Sequence, residues 1–183
     1  RVRNILSLVR GLVTQSKDTA GSIEEFSSVL GGRIQALARA HDQITADNWG
    51  PASFRGLVVA EAGAYLGGKA TRVRLSGPEM LLEPQGFTTL ALVVHELMTN
   101  SAKYGALSDS TGAIDIETRL DPQRNLHISW TERGGPPVKA PTRRGFGSTV
   151  IERSLPYDLK GEAAVDYEEL GVRARFVVPA AYV

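Results

Sequence analysis

The first 47 residues carry two stripes of apolar positions, one on each side of Gly21. Within each stripe the apolar residues recur at spacings of three and four, which is typical of amphipathic helices. The positions are Val2, Ile5, Leu6, Val9, Leu12 and Val13, then Ile23, Phe26, Leu30, Ile34, Leu37 and Ile44. Ser22 with Glu25 three residues later predicts a capping box at the start of the second helix. The pattern predicts a helical hairpin over residues 1–47, whose apolar faces need a second copy or the following domain as cover.

After a linker at residues 47–51, helical and strand-like patterns are mixed along the chain. Helices are predicted at 52–65, 83–104 and 148–159, and strands at 73–75, 114–118, 126–132, 163–167 and 172–178. Residues 133–144 are rich in Gly, Pro and basic side chains, and they predict an irregular loop. The fold class that follows is α+β, with a mixed sheet covered by helices on one face, in a domain spanning residues 48–183.

Composition narrows the classes of function. Lys and Arg number 21 against 20 Asp and Glu, giving a formal charge of +1, so a dense basic face for nucleic acid is not expected. The absence of cysteine excludes disulfides and thiolate metal sites and suits a reducing compartment. No apolar run approaches the roughly 18–20 residues of a membrane span. We therefore expect a cytoplasmic protein that contacts neither nucleic acid nor a membrane directly.

The predicted helix at 83–104 carries a carboxylate, an amide and an ammonium group on one side. Glu96, Asn100 and Lys103 follow one another on successive turns, away from the apolar face. An amide oxygen suits an oxygen-only Mg²⁺ shell, an ammonium group can meet a phosphate, and a carboxylate can orient a water or accept a proton. An ordinary solvated helix face would give the same pattern.

Two glycine segments make a nucleotide site the better interpretation. The stretch 132–136 (Glu-Arg-Gly-Gly-Pro) follows a predicted strand, and 145–148 (Gly-Phe-Gly-Ser) immediately precedes a predicted helix. A glycine turn at a helix N-terminus exposes backbone N–H groups that can hold phosphate. Each segment alone is weak, but their order along the chain is specific.

In these three motifs the chain resembles the HWE family of histidine kinases. Residues 95–105 (HELMTNSAKYG) resemble the asparagine box, 130–137 (WTERGGPP) the first glycine box and 145–147 (GFG) the second. The residues that name the family would be His95, Trp130 and Glu132. The start of the chain, with Arg1, Arg3 and Asn4, resembles the end of the phosphoacceptor motif His-Arg-x-(Lys/Arg)-Asn, and residues 38–42 fit the second hairpin helix.

The resemblance implies ATP and Mg²⁺ as cofactors and a role for each site residue. Asn100 would ligate Mg²⁺, Glu96 would assist proton removal, and Glu132 would accept a hydrogen bond from the adenine amino group. The remaining implied nucleotide contacts are Lys103, Tyr104, Gly134, Arg143, Arg144, Gly145, Phe146, Gly147 and Ser148, with residues 133–144 as the lid. Arg143 and Arg144 could equally be solvated loop residues.

Each of the three histidines and Trp130 has an expected role or position. For His95, grouped with Glu96 as catalytic, an orienting hydrogen bond is favoured over chemistry. Trp130 is expected to pack, because strand alternation puts it on the same face as Glu132. His41 is expected between the hairpin helices, and His127 is expected to be exposed and uninvolved.

The resemblance also implies partners. An upstream sensor module of a PAS-like or phytochrome type, sensing light or redox state, would act on the hairpin, and phosphate would pass from a histidine to a response-regulator aspartate. The hairpin would form a homodimer, although some hairpins of this kind are covered by their own ATPase domain, which Gly31 and Gly32 would permit. The position expected for the phosphoacceptor is the one immediately before Arg1. Either the given stretch starts one residue too late or another residue stands there, and as given the stretch should bind ATP without phosphorylating itself in the normal way. Pro136 replaces a glycine of other kinase classes, which predicts a shorter or stiffer lid.

Two other functions fit parts of the pattern. The first is a degenerate kinase that serves as a dimerisation and partner-docking module. The second is a serine kinase of the anti-sigma type on the same ATPase fold, against which the N-terminal hairpin and the Trp130–Glu132 motif both count.

Overall fold

The computed structural model of the chain describes residues 9–14, 16, 17, 20–46, 48–140 and 146–183. Residues 9–14, 16 and 17 are helical and precede four longer helices. The helices are α1 (Ile23–Ala46), α2 (Phe54–Leu66), α3 (Pro84–Lys103) and α4 (Phe146–Ser154). The strands are β1 (Ala52–Ser53), β2 (Val73–Ser76), β3 (Leu81–Leu82), β4 (Ala113–Leu120), β5 (Leu126–Arg133), β6 (Glu162–Glu168) and β7 (Gly171–Val178).

Five strands form one mixed sheet in the order β2-β4-β5-β7-β6. The β2–β4 pair is parallel, and the other pairs are antiparallel. Alternation along the three central strands turns the even-numbered residues inward. These buried residues are Ile114, Ile116, Thr118, Leu126, Ile128, Trp130, Glu132, Ala174, Phe176 and Val178. The sheet therefore has one apolar face, covered by helices, and the predicted α+β class is confirmed.

Helix α3 lies at the centre of the molecule. Every residue from Thr89 to Met98 is buried, including the two ionisable residues His95 and Glu96. A helix that is buried on all sides needs other elements on the faces turned away from the sheet. Here α1 and α2 pack on it, together with α4.

Helix α1 of the predicted hairpin uses its apolar stripe against its own chain. Leu37 and Ile44 are buried in the same core cluster as α3, whereas Ile23 and Ile34 are exposed. The close approach depends on Gly32: a Cβ there would lie 3.3 Å from both His95 Nε2 and the Tyr65 hydroxyl. The ATPase domain therefore covers part of the apolar stripe of α1, as in the second of the two alternatives given for the hairpin.

Helix boundaries follow capping chemistry. At the start of α1, the Glu25 N–H donates to Ser22 Oγ (3.1 Å), as predicted, and the Glu25 carboxylate accepts from the Gly21 N–H (2.8 Å). The predicted helix 52–65 begins two residues late, at Phe54, because Ser53 is its N-cap and accepts from the Gly56 N–H.

The sequence pattern missed one small sheet, which pairs β1 with β3. Strands of two residues are too short to show alternation, so neither was predicted. The other predicted elements are present within a few residues, including the β6–β7 hairpin and the helical segment that ends in a π-helical turn at Leu155–Leu159. Predictions for residues 1–8 lie outside the described residues.

Truncating the centre of α3 should destabilise the fold strongly. Leu90 is 1% exposed, so Leu90→Ala leaves a cavity and should lower the free energy of unfolding by about 2–5 kcal/mol. The matched control is Leu170→Ala in the β6–β7 turn, which is 84% exposed and should change it by no more than about 0.5 kcal/mol. Chemical denaturation measures both, and equal losses would contradict the placement of α3.

Candidate functional site

The polar residues of α3 meet the first turn of α4. A Cβ added to Gly147 would lie 2.7 Å from Glu96 Oε2 and 3.7 Å from Asn100 Nδ2. No residue larger than glycine fits there without a shift. A carboxylate and an amide thus lie against a glycine turn that opens a helix, as the sequence predicted. This donor set suits a hydrated Mg²⁺ carrying phosphates, since Mg²⁺ takes oxygen ligands and a helix N-terminus attracts anions.

Glu96 forms an ion pair with an arginine of α1. Arg33 Nε lies 2.6 Å from Glu96 Oε1, and Arg33 Nη2 lies 3.0 Å from Glu96 Oε2. The third guanidinium nitrogen, Nη1, donates to Ser16 Oγ at 2.7 Å. Arg33 and Glu96 are 3% and 5% exposed. The predicted reacting carboxylate is therefore half of a buried, bidentate ion pair.

His95 belongs to a second buried network, which joins α3 to α2 and α1. Its Nδ1 lies 3.2 Å from Glu61 Oε2, and the other oxygen of Glu61 accepts from Arg39 Nε at 2.9 Å. The Tyr65 ring packs edge-on against the imidazole, and its hydroxyl donates to the Gly32 carbonyl. These contacts give His95 the orienting kind of hydrogen bond that the sequence favoured over chemistry.

Glu132 lies at the C-terminal end of α3, beside the turn that follows Lys103. Its Oε2 accepts from the Ala106 N–H at 2.8 Å, and its Oε1 accepts from Trp130 Nε1 at 3.2 Å. The carboxylate therefore ties the turn after the asparagine box to β5. Trp130 is buried on the same face, so the predicted packing role is confirmed. Burial raises the pKa of Glu132 above its usual 4.5, against the opposing effect of these two hydrogen bonds.

The other predicted contacts lie around this centre. Lys103 and Tyr104 are exposed at the end of α3, and Tyr104 is 72% exposed. Gly134 has a φ of +71°, and its carbonyl accepts from the Thr111 hydroxyl. Ser148 is half-buried in α4, which begins at Phe146. The predicted contacts of Arg143, Arg144 and Gly145, the Phe146 side chain, and the motif residues Arg1, Arg3 and Asn4 lie outside the described residues.

One prediction about histidine was wrong. His127 is half-buried rather than exposed and free, because its Nε2 lies 3.0 Å from Asp121 Oδ2 in the β4–β5 turn. The hydrogen bond from His127 lowers the pKa of Asp121 to about 2. His41 packs edge-on against Trp49 of the linker, with ring centroids 5.1 Å apart. Both contacts stabilise local structure away from α3.

The sequence missed the residues that partner α3, which are Arg33, Glu61 and Tyr65, and it missed Arg39, which pairs with Glu61. One signal was present for Glu61, which is a lone charge in the apolar run of α2. An acid in an apolar helical run is carried into the core with its neighbours, and a buried carboxylate needs a hydrogen-bond or ion-pair partner. Arg33 gave no such signal, because an arginine on an amphipathic helix ordinarily faces solvent.

Comparisons with known proteins find similarity to histidine kinases. The family model described as HWE histidine kinase matches residues 1–79. The blue-light-activated histidine kinase of Brucella ovis is 29% identical over 182 residues, which cover 98% of this chain and 37% of that protein. The counterpart in Brucella anthropi is 28% identical over 183 residues. These matches confirm the resemblance to HWE histidine kinases, and the chain spans well under half of these relatives.

Solved structures agree on the fold. The blue-light activated histidine kinase EL346 of Erythrobacter litoralis superposes with a TM-score of 0.73 at 13% identity, covering 98% of this chain and 58% of that chain. The catalytic domain of the histidine kinase ThkA gives a TM-score of 0.52 at 15% identity, covering 71% of this chain and 95% of that one. At such low identity the likeness shows the fold alone, which is that of histidine kinase catalytic domains. Across the described ranges, no helix is both long enough and apolar enough to cross a membrane.

The raised pKa of Glu132 should give the protein a pH-dependent stability. The folded state holds this proton over a range in which the unfolded state has lost it. The stabilisation is therefore full below the usual pKa of 4.5 and is lost as pH rises through the folded-state pKa. Relative to Glu132→Gln, which does not titrate, the wild type should lose free energy of unfolding as pH rises from 4.5.

Urea denaturation over a pH series measures this difference. Glu162→Gln, at an exposed position on β6, is the control for removing a carboxylate of any kind. A wild-type free energy of unfolding that rises with pH relative to that of Glu132→Gln would contradict the sign of the shift.

Proposed function

We propose, from its similarity to the HWE histidine kinases, that the chain is the catalytic core of a sensor histidine kinase. In this proposal it binds Mg²⁺-ATP, transfers the γ-phosphoryl group to a histidine, and passes it on to an aspartate of a response regulator. The observation that carries the proposal is the meeting of Glu96, Asn100 and the Gly147 turn at the start of α4. A solvated helix face, the alternative interpretation of these residues, does not bury a carboxylate beneath a glycine turn.

Each side chain has a separate task in this proposal. Asn100 offers its amide oxygen to the metal, and the N-terminus of α4 faces the phosphates with the positive end of its dipole. Lys103, exposed one turn further along, reaches a phosphate oxygen. When bound, Mg²⁺ supplies neutralisation of charge on the phosphates. Placement of the γ-phosphoryl group by these residues would supply the positioning part of catalysis.

The base would be held beside these residues, at the C-terminal end of α3, where Glu132 contacts Ala106. Each carboxylate oxygen of Glu132 has a second lone pair beside the one that Ala106 or Trp130 uses, and the adenine amino group would donate to it. Tyr104 would flank the base, and residues 133–144 would close over the nucleotide.

Domain organisation and partners belong to the same proposal. Residues 1–47 form the phosphotransfer hairpin and 48–183 the ATP-binding domain, with a sensor upstream and a receiver domain as acceptor. Ile23 and Ile34, which α1 leaves exposed, are the apolar residues available to a second copy of the hairpin. The proposed compartment is the cytoplasm.

A second candidate function has an observation in its favour. In a degenerate kinase that only docks partners, Glu96 would serve as a structural carboxylate, and its buried pair with Arg33 fits that role. The meeting of Asn100 with the glycine turn favours the working kinase.

Replacing Asn100 separates the two functions. In the full-length protein with γ-labelled ATP and Mg²⁺, the wild type should acquire acid-labile, alkali-stable label, and Asn100→Ala should lose it because the metal loses its amide ligand. The matched control is Asn48→Gly in the linker, an exposed position whose φ of +53° suits glycine, and it should keep the label.

Binding of Mg²⁺-ATP, measured by calorimetry, complements the labelling. Absence of both label and nucleotide binding in the wild type would overturn the kinase proposal and leave the docking module. Label that survives Asn100→Ala would contradict the role given to that side chain.

A further inference from the structure

The contact between the hairpin and the nucleotide site is concentrated on Glu96. Arg33 and Glu96 are 63 residues apart in sequence, yet both oxygens of the carboxylate are held by the guanidinium group. Bidentate arginine–carboxylate pairs combine two charge-assisted hydrogen bonds with a fixed geometry. Ser16 accepts a further hydrogen bond from the same arginine, so the guanidinium is anchored on both sides.

This pairing conflicts with the task proposed for Glu96. A carboxylate that removes a proton or orients a water must come within hydrogen-bond reach of it, at about 2.6–3.2 Å. Two of the four in-plane lone pairs of the Glu96 carboxylate accept from Arg33, and the residue is 5% exposed. Oε2 also lies close to Gly147, where an added Cβ would be 2.7 Å away, so little room is left beside the carboxylate. The arrangement therefore holds Glu96 out of use while α1 is docked.

The restraint depends on the position of a helix that can move as a unit. Arg33 lies in the middle of α1, directly after Gly32, where the helix comes closest to His95 and Tyr65. In the proposed function this helix belongs to the hairpin that an upstream sensor would act on. A shift of α1 along or away from α3 would separate Arg33 from Glu96.

We propose that Arg33 is a positioning residue that restrains Glu96, so that docking of α1 holds the kinase inactive and displacement of α1 frees the carboxylate for phosphoryl transfer. The inference rests on the proposed function, since it assigns a regulatory contact to the same site. It makes the hairpin a direct regulator of a side chain at the nucleotide site, in addition to its role as phosphate carrier.

Arg39 provides a matched comparison. It lies on the same helix, two turns after Arg33, and it pairs with a buried glutamate, Glu61, at 2.7 Å. Loss of either arginine therefore removes an ion pair between α1 and the ATPase core. Glu96 loses its partner in only one of the two variants.

The test compares Arg33→Gln with Arg39→Gln in the full-length protein, measuring the rate of label transfer from γ-labelled ATP and the KM for ATP. Minor conformations are commonly populated at about 10% or less, so releasing the restraint should raise kcat about tenfold. KM should change little, because the carboxylate that Arg33 holds is proposed to act on a proton or a water and not to bind the nucleotide. Arg39→Gln should not produce this rise.

The conservative variant Arg33→Lys provides a second test in case Arg33→Gln does not fold. Lysine keeps the charge but cannot hold both carboxylate oxygens at once, so its kcat should lie between the wild-type and Arg33→Gln values. A kcat that is unchanged or lower in both Arg33 variants, with ATP still bound, would overturn the proposal. An equal rise in Arg39→Gln would also overturn it, since the effect would then come from looser docking in general.

Failure of the proposed function would look different. If the wild type binds no Mg²⁺-ATP by calorimetry, the kinase proposal falls and the restraint falls with it. If it binds nucleotide and takes up label, the comparison of the variants decides on Arg33 alone.

Discussion

Burial of the Thr89–Met98 segment of α3 is the constraint on which the rest of the structure depends. The helix carries His95 and Glu96 side by side in a segment with no exposed face. An ionisable group in such a place is costly unless it is paired and hydrogen-bonded. Glu61 supplies the partner for His95 and Arg33 the partner for Glu96, and both come from helices packed on the side of α3 away from the sheet.

This requirement joins the hairpin to the ATPase domain. His95 and Glu96 belong to the candidate nucleotide site, and because they are buried they need partners from other helices. The partners of His95 lie on α2, which Arg39 then links to α1, whereas the partner of Glu96 lies on α1 itself. Helix α1 is therefore held by two arginines, Arg33 and Arg39, which pair with different helices of the ATPase domain. At the C-terminal end of α3, the Glu132 carboxylate likewise holds the turn at Ala106 through a hydrogen bond.

Local patterns were enough to predict most of the fold. The spacing of apolar residues placed α1, α3 and the long strands, because helices and strands repeat with different periods. The capping box at Ser22 and the packing of Trp130 also followed from short stretches of sequence. Strands β1 and β3 were missed because two residues cannot show a period, and His127 was misjudged because its partner is set by the shape of a turn.

The candidate site was predictable only in part. Glu96 and Asn100 stood out because they lie on one side of one predicted helix, and Gly147 because it immediately precedes the predicted helix 148–159. The pairing of Arg33 with Glu96 could not be foreseen, since it joins residues 63 positions apart and depends on how two helices pack. An arginine on an amphipathic helix ordinarily remains in water, and only the close approach at Gly32 brings this one into the core.

A double-mutant cycle on the unfolding of Arg33→Gln, Glu96→Gln and the double variant tests the central claim most directly. If the two side chains form a buried pair, each single variant leaves an unpaired partner behind, and the double variant loses less than the sum of the two. Contacting residues commonly show a coupling of about 0.5–3 kcal/mol. Losses that add to within about 0.3–0.5 kcal/mol would contradict the account, because Arg33 and Glu96 would then be energetically independent.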